Sequence, residues 1–167
     1  MAVLTIPAQR AALLTFVSAI PGIGNVHDYR RSLKTESEIK DRLFHVGQGR
    51  INGWMISLAG SNTTVTIRNP GHHGIGTQGG GNVFTTFQWQ IEGYFGHDDL
   101  AGSEKTFGDL AWAVADEFNS YGLLNIAGIV QQLPADVEQF GFAMLANFHL
   151  VHYARIGVGF HGRTRPT

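Results

Sequence analysis

The chain has 167 residues, about one domain's worth, and a 43% hydrophobic share that excludes a largely disordered polypeptide. Twelve Lys and Arg against thirteen Asp and Glu leave a formal charge of −1, which excludes the strongly basic footprint of a free nucleic-acid binder. With no cysteine, disulfides, thiolate metal sites, iron–sulfur clusters and a cysteine nucleophile are excluded as well. Two features depart from the globular norm. Charged residues are only 15%, against a usual quarter or so, and a weakly charged surface favours association, so cover by other subunits is expected. The 22 glycines are about 13% of the chain, against a usual share of roughly 7%.

From the N-terminus, Thr5 and Pro7 open a helix, and Leu13, Leu14, Val17 and Ile20 follow at helical spacing until Pro21-Gly22 stops it. This first stretch is too short and too polar for a membrane span and lacks the basic residues that begin a secretory signal. Val26–Tyr29 is a short strand candidate. Thr35 and Glu38 match a capping box, with Ile39, Leu43 and Val46 as the stripe of the helix behind it. Gly53–Leu58 and Thr63–Arg68 read as two strands.

Residues 69–82, NPGHHGIGTQGGGN, are a glycine-dominated loop, expected to be mobile in the isolated subunit and used in assembly. The clearest strand follows, with Val83, Thr85, Phe87, Trp89, Ile91 and Phe95 on an apolar face and Thr86, Gln88, Gln90 and Glu92 on a polar one. Ser103 caps a helix whose stripe is Phe107, Leu110, Ala111, Val114 and Phe118. Asn125–Gln139 reads as extended around Pro134. Alternation from Phe142 to Phe160 reads as one long strand, straight or bent, and 161–167 as a frayed tail. The pattern predicts a single α+β domain over 1–167, a mainly antiparallel or mixed sheet packed against two or three helices.

The chemical motifs are weak. Gly74–Gly79 spells GxGxxG, but the dinucleotide fingerprint requires a strand before it and a helix after it, and here a strand follows. The eight histidines show no metal-ligand spacing. His149 and His152, three apart on a strand, point to opposite faces. His97-Asp98-Asp99 is a candidate carboxylate–imidazole group, at a position where a turn already calls for Asp. No catalytic residue, metal site or cofactor is assigned.

Three segments carry a resemblance. Ile20–Arg30 (IPGIGNVHDYR) after an N-terminal helix, Arg50–Ile56 (RINGWMI) at a strand entry, and Phe87–Gly96 (FQWQIEGYFG) before a helix resemble, in this order, segments of tail terminator (tail completion) proteins of long-tailed bacteriophages. The resemblance implies a non-enzymatic virion protein of the tail and neck, assembled in the host bacterial cytoplasm. It implies a ring, six subunits in that family, that caps the head-proximal end of the tail tube, stops its polymerisation and docks to the neck or connector. Genomic DNA would pass through the lumen without specific binding, and no membrane is involved. The contact residues expected are His27, Asp28, Tyr29 and Arg30, with Gly71, His72, His73, Gly74, Gly79, Gly80 and Gly81 of the loop. The alternatives are another neck or tail-tube subunit, or a small enzyme using His97, Asp98 and Asp99.

Overall fold

The computed structural model describes residues 3–66, 82–98, 100–121, 124, 126–146 and 149–165. Three helices, α1 (Ile6–Ser18), α2 (Glu36–Leu43) and α3 (Ser103–Tyr121), pack on strands β1 (Asn25–His27), β2 (Phe44–His45), β3 (Arg50–Thr66), β4 (Asn82–Gly96), β5 (Ile129–Leu145) and β6 (His149–Arg165). The sheet order is β1-β3-β4-β6-β5, with β2 also on β3; among the described residues β1 alone is parallel to its neighbour. This is the α+β class the pattern predicts.

Local chemistry places the helices. The Thr5 hydroxyl accepts from the Ala8 N–H at the start of α1. At α2 the capping box is complete: Thr35 accepts from the Glu38 N–H at 3.2 Å, and Glu38 accepts from the Thr35 N–H at 3.2 Å. Helix α2 ends at Leu43, so Val46 falls outside it and stands 85% exposed, not on a buried stripe.

Apolar side chains line both faces of the sheet. On one face Trp54, Ile56, Trp89, Ile91, Ile156 and Phe160 meet Leu13 and Val17 of α1 and Phe107, Val114 and Phe118 of α3. On the other, Ile39 and Leu43 of α2 cover Met55, Tyr94, Val151 and Tyr153. On the odd-numbered face of β4, Thr85, Phe87, Trp89, Ile91 and Phe95 are buried as its alternation predicts, and Val83 is half-buried. Glu92 and Tyr94 of the even face are buried too, because α2 and its approach cover that end. Gly93 lies between them because the Trp54 ring occupies the space a Cβ would need, 2.6 Å away.

Four boundaries differ from the sequence reading, while the extended stretch around Pro134 is found as part of β5. Gly53–Leu58 and Thr63 onward belong to one strand, β3; the apparent gap is a register shift between Leu58 and Gly60. Strand β1 ends at His27, before Asp28 and Tyr29. The stretch from Phe142 to Phe160 is a hairpin of β5 and β6, with Ala146 at a positive φ of 48°. Pro134 sits inside β5, where the register shifts between Leu133 and Asp136; an outermost strand tolerates the missing N–H. Finally, residues 161–165 are not frayed: β6 continues to Arg165 opposite Val83, and the Leu4 N–H donates to the Arg163 carbonyl at 2.6 Å. The loop residues Gly71, His72, His73, Gly74, Gly79, Gly80 and Gly81 lie outside the described residues.

Trp89 joins the two layers: it is fully buried, and its Nε1–H donates to Gln9 Oε1 of α1 at 2.8 Å. Trp89→Ala opens a cavity and leaves the buried Gln9 amide without this donor. The expected loss is about 3–5 kcal/mol, read from the urea midpoint. An unchanged midpoint would show that this face does not anchor α1.

Candidate functional site

The segment after β1 is tied to the body of the chain. His27 Nε2 lies 2.7 Å from the Arg42 carbonyl, so that nitrogen carries the proton, and Asn25 donates to the Phe44 carbonyl at 2.9 Å. Arg30 Nε sits 3.1 Å from Glu92 Oε2, and the Glu92 side chain is 1% exposed. The Tyr153 hydroxyl donates to the other Glu92 oxygen at 2.8 Å, and Arg155 Nε donates to that hydroxyl at 3.1 Å. Arg30 therefore answers a buried carboxylate. Asp28 is half-buried and Tyr29 is exposed, with the Arg31 guanidinium 3.6 Å from the Tyr29 ring centre. Two of the four residues singled out here thus have work within the fold, and Tyr29 offers the apolar surface.

Sequence reasoning missed Glu92 as an ion-pair partner because alternation placed it on a solvated face. The pairing joins Arg30 to a strand 62 positions later, and no local signal encodes it. Burial, then the negative charge of Glu92, pushes the Tyr94 hydroxyl pKa well above the usual tyrosine value. Burial, then the hydrogen bond to Glu92, raises that of Tyr153.

The histidines meet elsewhere. Ser103 Oγ lies 2.7 Å from His152 Nε2 and accepts from the Asp98 N–H at 2.7 Å. The His97 ring stands 5.3 Å from that of His152 and 5.5 Å from Phe142. Asp98 Oδ1 accepts from the Ala101 N–H at 3.1 Å, the turn role its position suggests; Asp99 lies outside the described residues. His149 is half-buried, whereas His152 is buried. Ser103 is the first residue of α3, but its hydroxyl is spent on β6 and the preceding turn, not on capping its own helix. Ser103 and His152 are each 1% exposed, so the pair acts as a tie between α3 and the sheet, closed to a reactant. Among the described residues no group of three or more His, Asp or Glu is arranged to hold a metal ion.

The surface that stands out lies along β5, the outermost strand of the sheet. Phe142 and Met144 are 53% and 58% exposed, and Phe140, Leu150 of β6 and Trp112 of α3 are exposed beside them. The Phe142 ring rests against His152 at 4.9 Å, so the patch begins where the cover given by α3 ends. The alternation puts Phe142, Met144 and Leu150 on one face of the long strand predicted from Phe142 to Phe160. Alternation identifies a face, but not whether anything covers it. A row of exposed apolar side chains beside the unpaired backbone of an outermost strand is a surface built for contact.

No protein-family model matches the chain, and no curated protein matches it.

Two outcomes test these assignments. Tyr94 and Tyr153 hold their protons more tightly folded than unfolded, so this contribution to stability is intact below the unfolded tyrosine value of about 10 and is lost as pH rises beyond it. Denaturant titrations between about pH 9 and 11 should show stability falling, with a shallower fall for Tyr94→Phe; equal slopes would refute the buried-hydroxyl account. Ser103→Ala should lower stability by about 1–3 kcal/mol through loss of the buried His152 bond, and a value near zero would remove the tie.

Proposed function

We propose that this chain is a non-enzymatic, ring-forming structural protein of a long-tailed bacteriophage virion, acting as its tail terminator. The observation that carries the reading is the exposed apolar row on β5, which a subunit of a closed ring would bury against its neighbour. Three further points support it. The charged share is low. The segments Ile20–Arg30, Arg50–Ile56 and Phe87–Gly96, which carry the resemblance, fall on the turn and strand after α1, on the start of β3 and on β4. Ser103 and His152 are closed to a reactant.

In this reading the ring caps the head-proximal end of the tail tube, halts its polymerisation and presents a docking face to the neck or connector. The work is done by surface complementarity. DNA crosses the lumen without specific contacts.

Virions made without this protein test the proposal. Tails of uncontrolled length, or normal tails unable to join heads, are expected. Infectious particles with tails of normal length would overturn it.

A further inference from the structure

Helix α3 and the entry of β3 form the two walls of an open cleft of about 530 Å³. Gln48 and Arg50 stand on one wall, Thr106, Asp109 and Leu110 of α3 on the other, and Phe95 of β4 lies between them. Gly22, in the turn after α1, meets both walls: its carbonyl accepts from Gln48 Nε2 at 3.2 Å, and Leu110 Cδ1 lies 3.4 Å from where a Cβ would stand. Phe95 is 3% exposed and its ring stacks on Phe107 at 5.6 Å, so the floor of the cleft is fixed. The first wall is fixed as well. Asn52, fully buried, donates to the Gly22 carbonyl at 2.8 Å and to Gln48 Oε1 at 2.7 Å, and its own Oδ1 accepts from Trp54 Nε1 at 2.9 Å. Both amide donors and the acceptor of Asn52 are thus spent on holding the turn and the wall in place.

The two charged groups of the cleft differ from this settled network. Arg50 and Asp109 are exposed and come from different elements, and among the described residues neither makes an ion pair or a side-chain hydrogen bond. The Arg50 guanidinium instead lies 5.4 Å from the centre of the Phe95 ring, over the floor of the cleft. Two other clefts lack this arrangement. The one beside Trp112 takes Glu104, Lys105 and Asp109 from a single helix, and the one along α1 has Glu117 as the charged group among its described lining residues.

We propose that this cleft binds a small zwitterion with an apolar body, the class of the free α-amino acids with large apolar side chains. Arg50 takes the carboxylate, which a guanidinium fork matches, Asp109 takes the ammonium group, and Phe95 and Leu110 take the apolar part. Charge complementarity selects this occupant. Opposite charges on opposite walls are answered together by a molecule that carries both, whereas a simple anion is repelled by Asp109 and a simple cation by Arg50. The size of the cleft and its apolar floor with a few polar groups suit a small ligand. Walls held by Asn52 and Gln48 before any ligand arrives lower the ordering cost of binding. The site is independent of the ring reading and adds a ligand to it.

The test titrates the purified full chain with L-phenylalanine and L-leucine and follows backbone amide shifts by NMR. Saturable shifts are expected at Gly22, Arg50 and Asp109. Hydrocinnamate, which is phenylalanine without the ammonium group, and phenethylamine, which lacks the carboxylate, should each bind at least about tenfold more weakly than L-phenylalanine. Two variants assign the charges. Arg50→Gln should weaken L-phenylalanine and hydrocinnamate by about tenfold and leave phenethylamine unchanged; Asp109→Asn should weaken L-phenylalanine and phenethylamine and leave hydrocinnamate unchanged. Both side chains are exposed, so each variant should keep the unsubstituted melting temperature within a few degrees. No saturable response to either amino acid would overturn the proposal. So would shifts confined to the neighbouring cleft around Trp112 and Phe140, equal binding of L-phenylalanine and its two singly charged analogues, or undiminished binding of L-phenylalanine by either variant.

Discussion

Strand β4 pairs along its length with β3 on one side and β6 on the other, and the other elements take their places from it. Its odd-numbered side chains face α1 and α3, and the last part of its even face lies under α2. A strand enclosed in this way has to satisfy its polar groups internally. Glu92 is the sharp case: a carboxylate at 1% exposure is tolerable because Arg30 and the Tyr153 hydroxyl answer it. The same requirement explains Gln9 against Trp89, Asn52 against Trp54 and Ser103 against His152. The Arg30, Gln9 and Ser103 contacts each tie a loop or helix to the sheet, whereas Asn52 and Trp54 bond within β3, so the polar groups fix positions that apolar packing alone leaves loose.

What the sequence made legible was local. Thr35 and Glu38 named a helix start because the bonds that make it span three residues. The stripe of α3 and the alternation of β4 were readable because each repeats over several turns or pleats. Reading failed where the deciding partner was distant, as with Ser103 and His152, 49 positions apart. It failed at Ala146 for another reason: period-two alternation continues in phase through the β5–β6 turn, so two strands read as one. At Phe142 and Met144, alternation pointed to a face without revealing that no described element covers it.

That bare row has a physical cost in water. An outermost strand with exposed Phe and Met side chains invites indiscriminate pairing. Within β5, Pro134 lacks an N–H, and shifts at Leu133/Asp136 and Val137/Gln139 break the register. Asp136 and Glu138 lie at those irregular positions and place charge on the strand. These features disfavour open-ended strand addition while leaving the Phe142–Met144 end regular and apolar. Strand β5 is thus divided by its own sequence into a guarded half and an adhesive half.

The low overall charge then takes on a second meaning. A sheet whose two sides bore like charge would repel its own copies at every contact, and a strongly charged chain would accumulate repulsion as subunits were added. Here each copy adds one net negative charge, so long-range repulsion between whole subunits stays weak. The apolar row at the Phe142–Met144 end of β5 then has the larger say in which surfaces meet, while the register shifts and charges of the other half of β5 disfavour pairing there. A strand that adheres at one end and is guarded at the other favours few modes of contact over many.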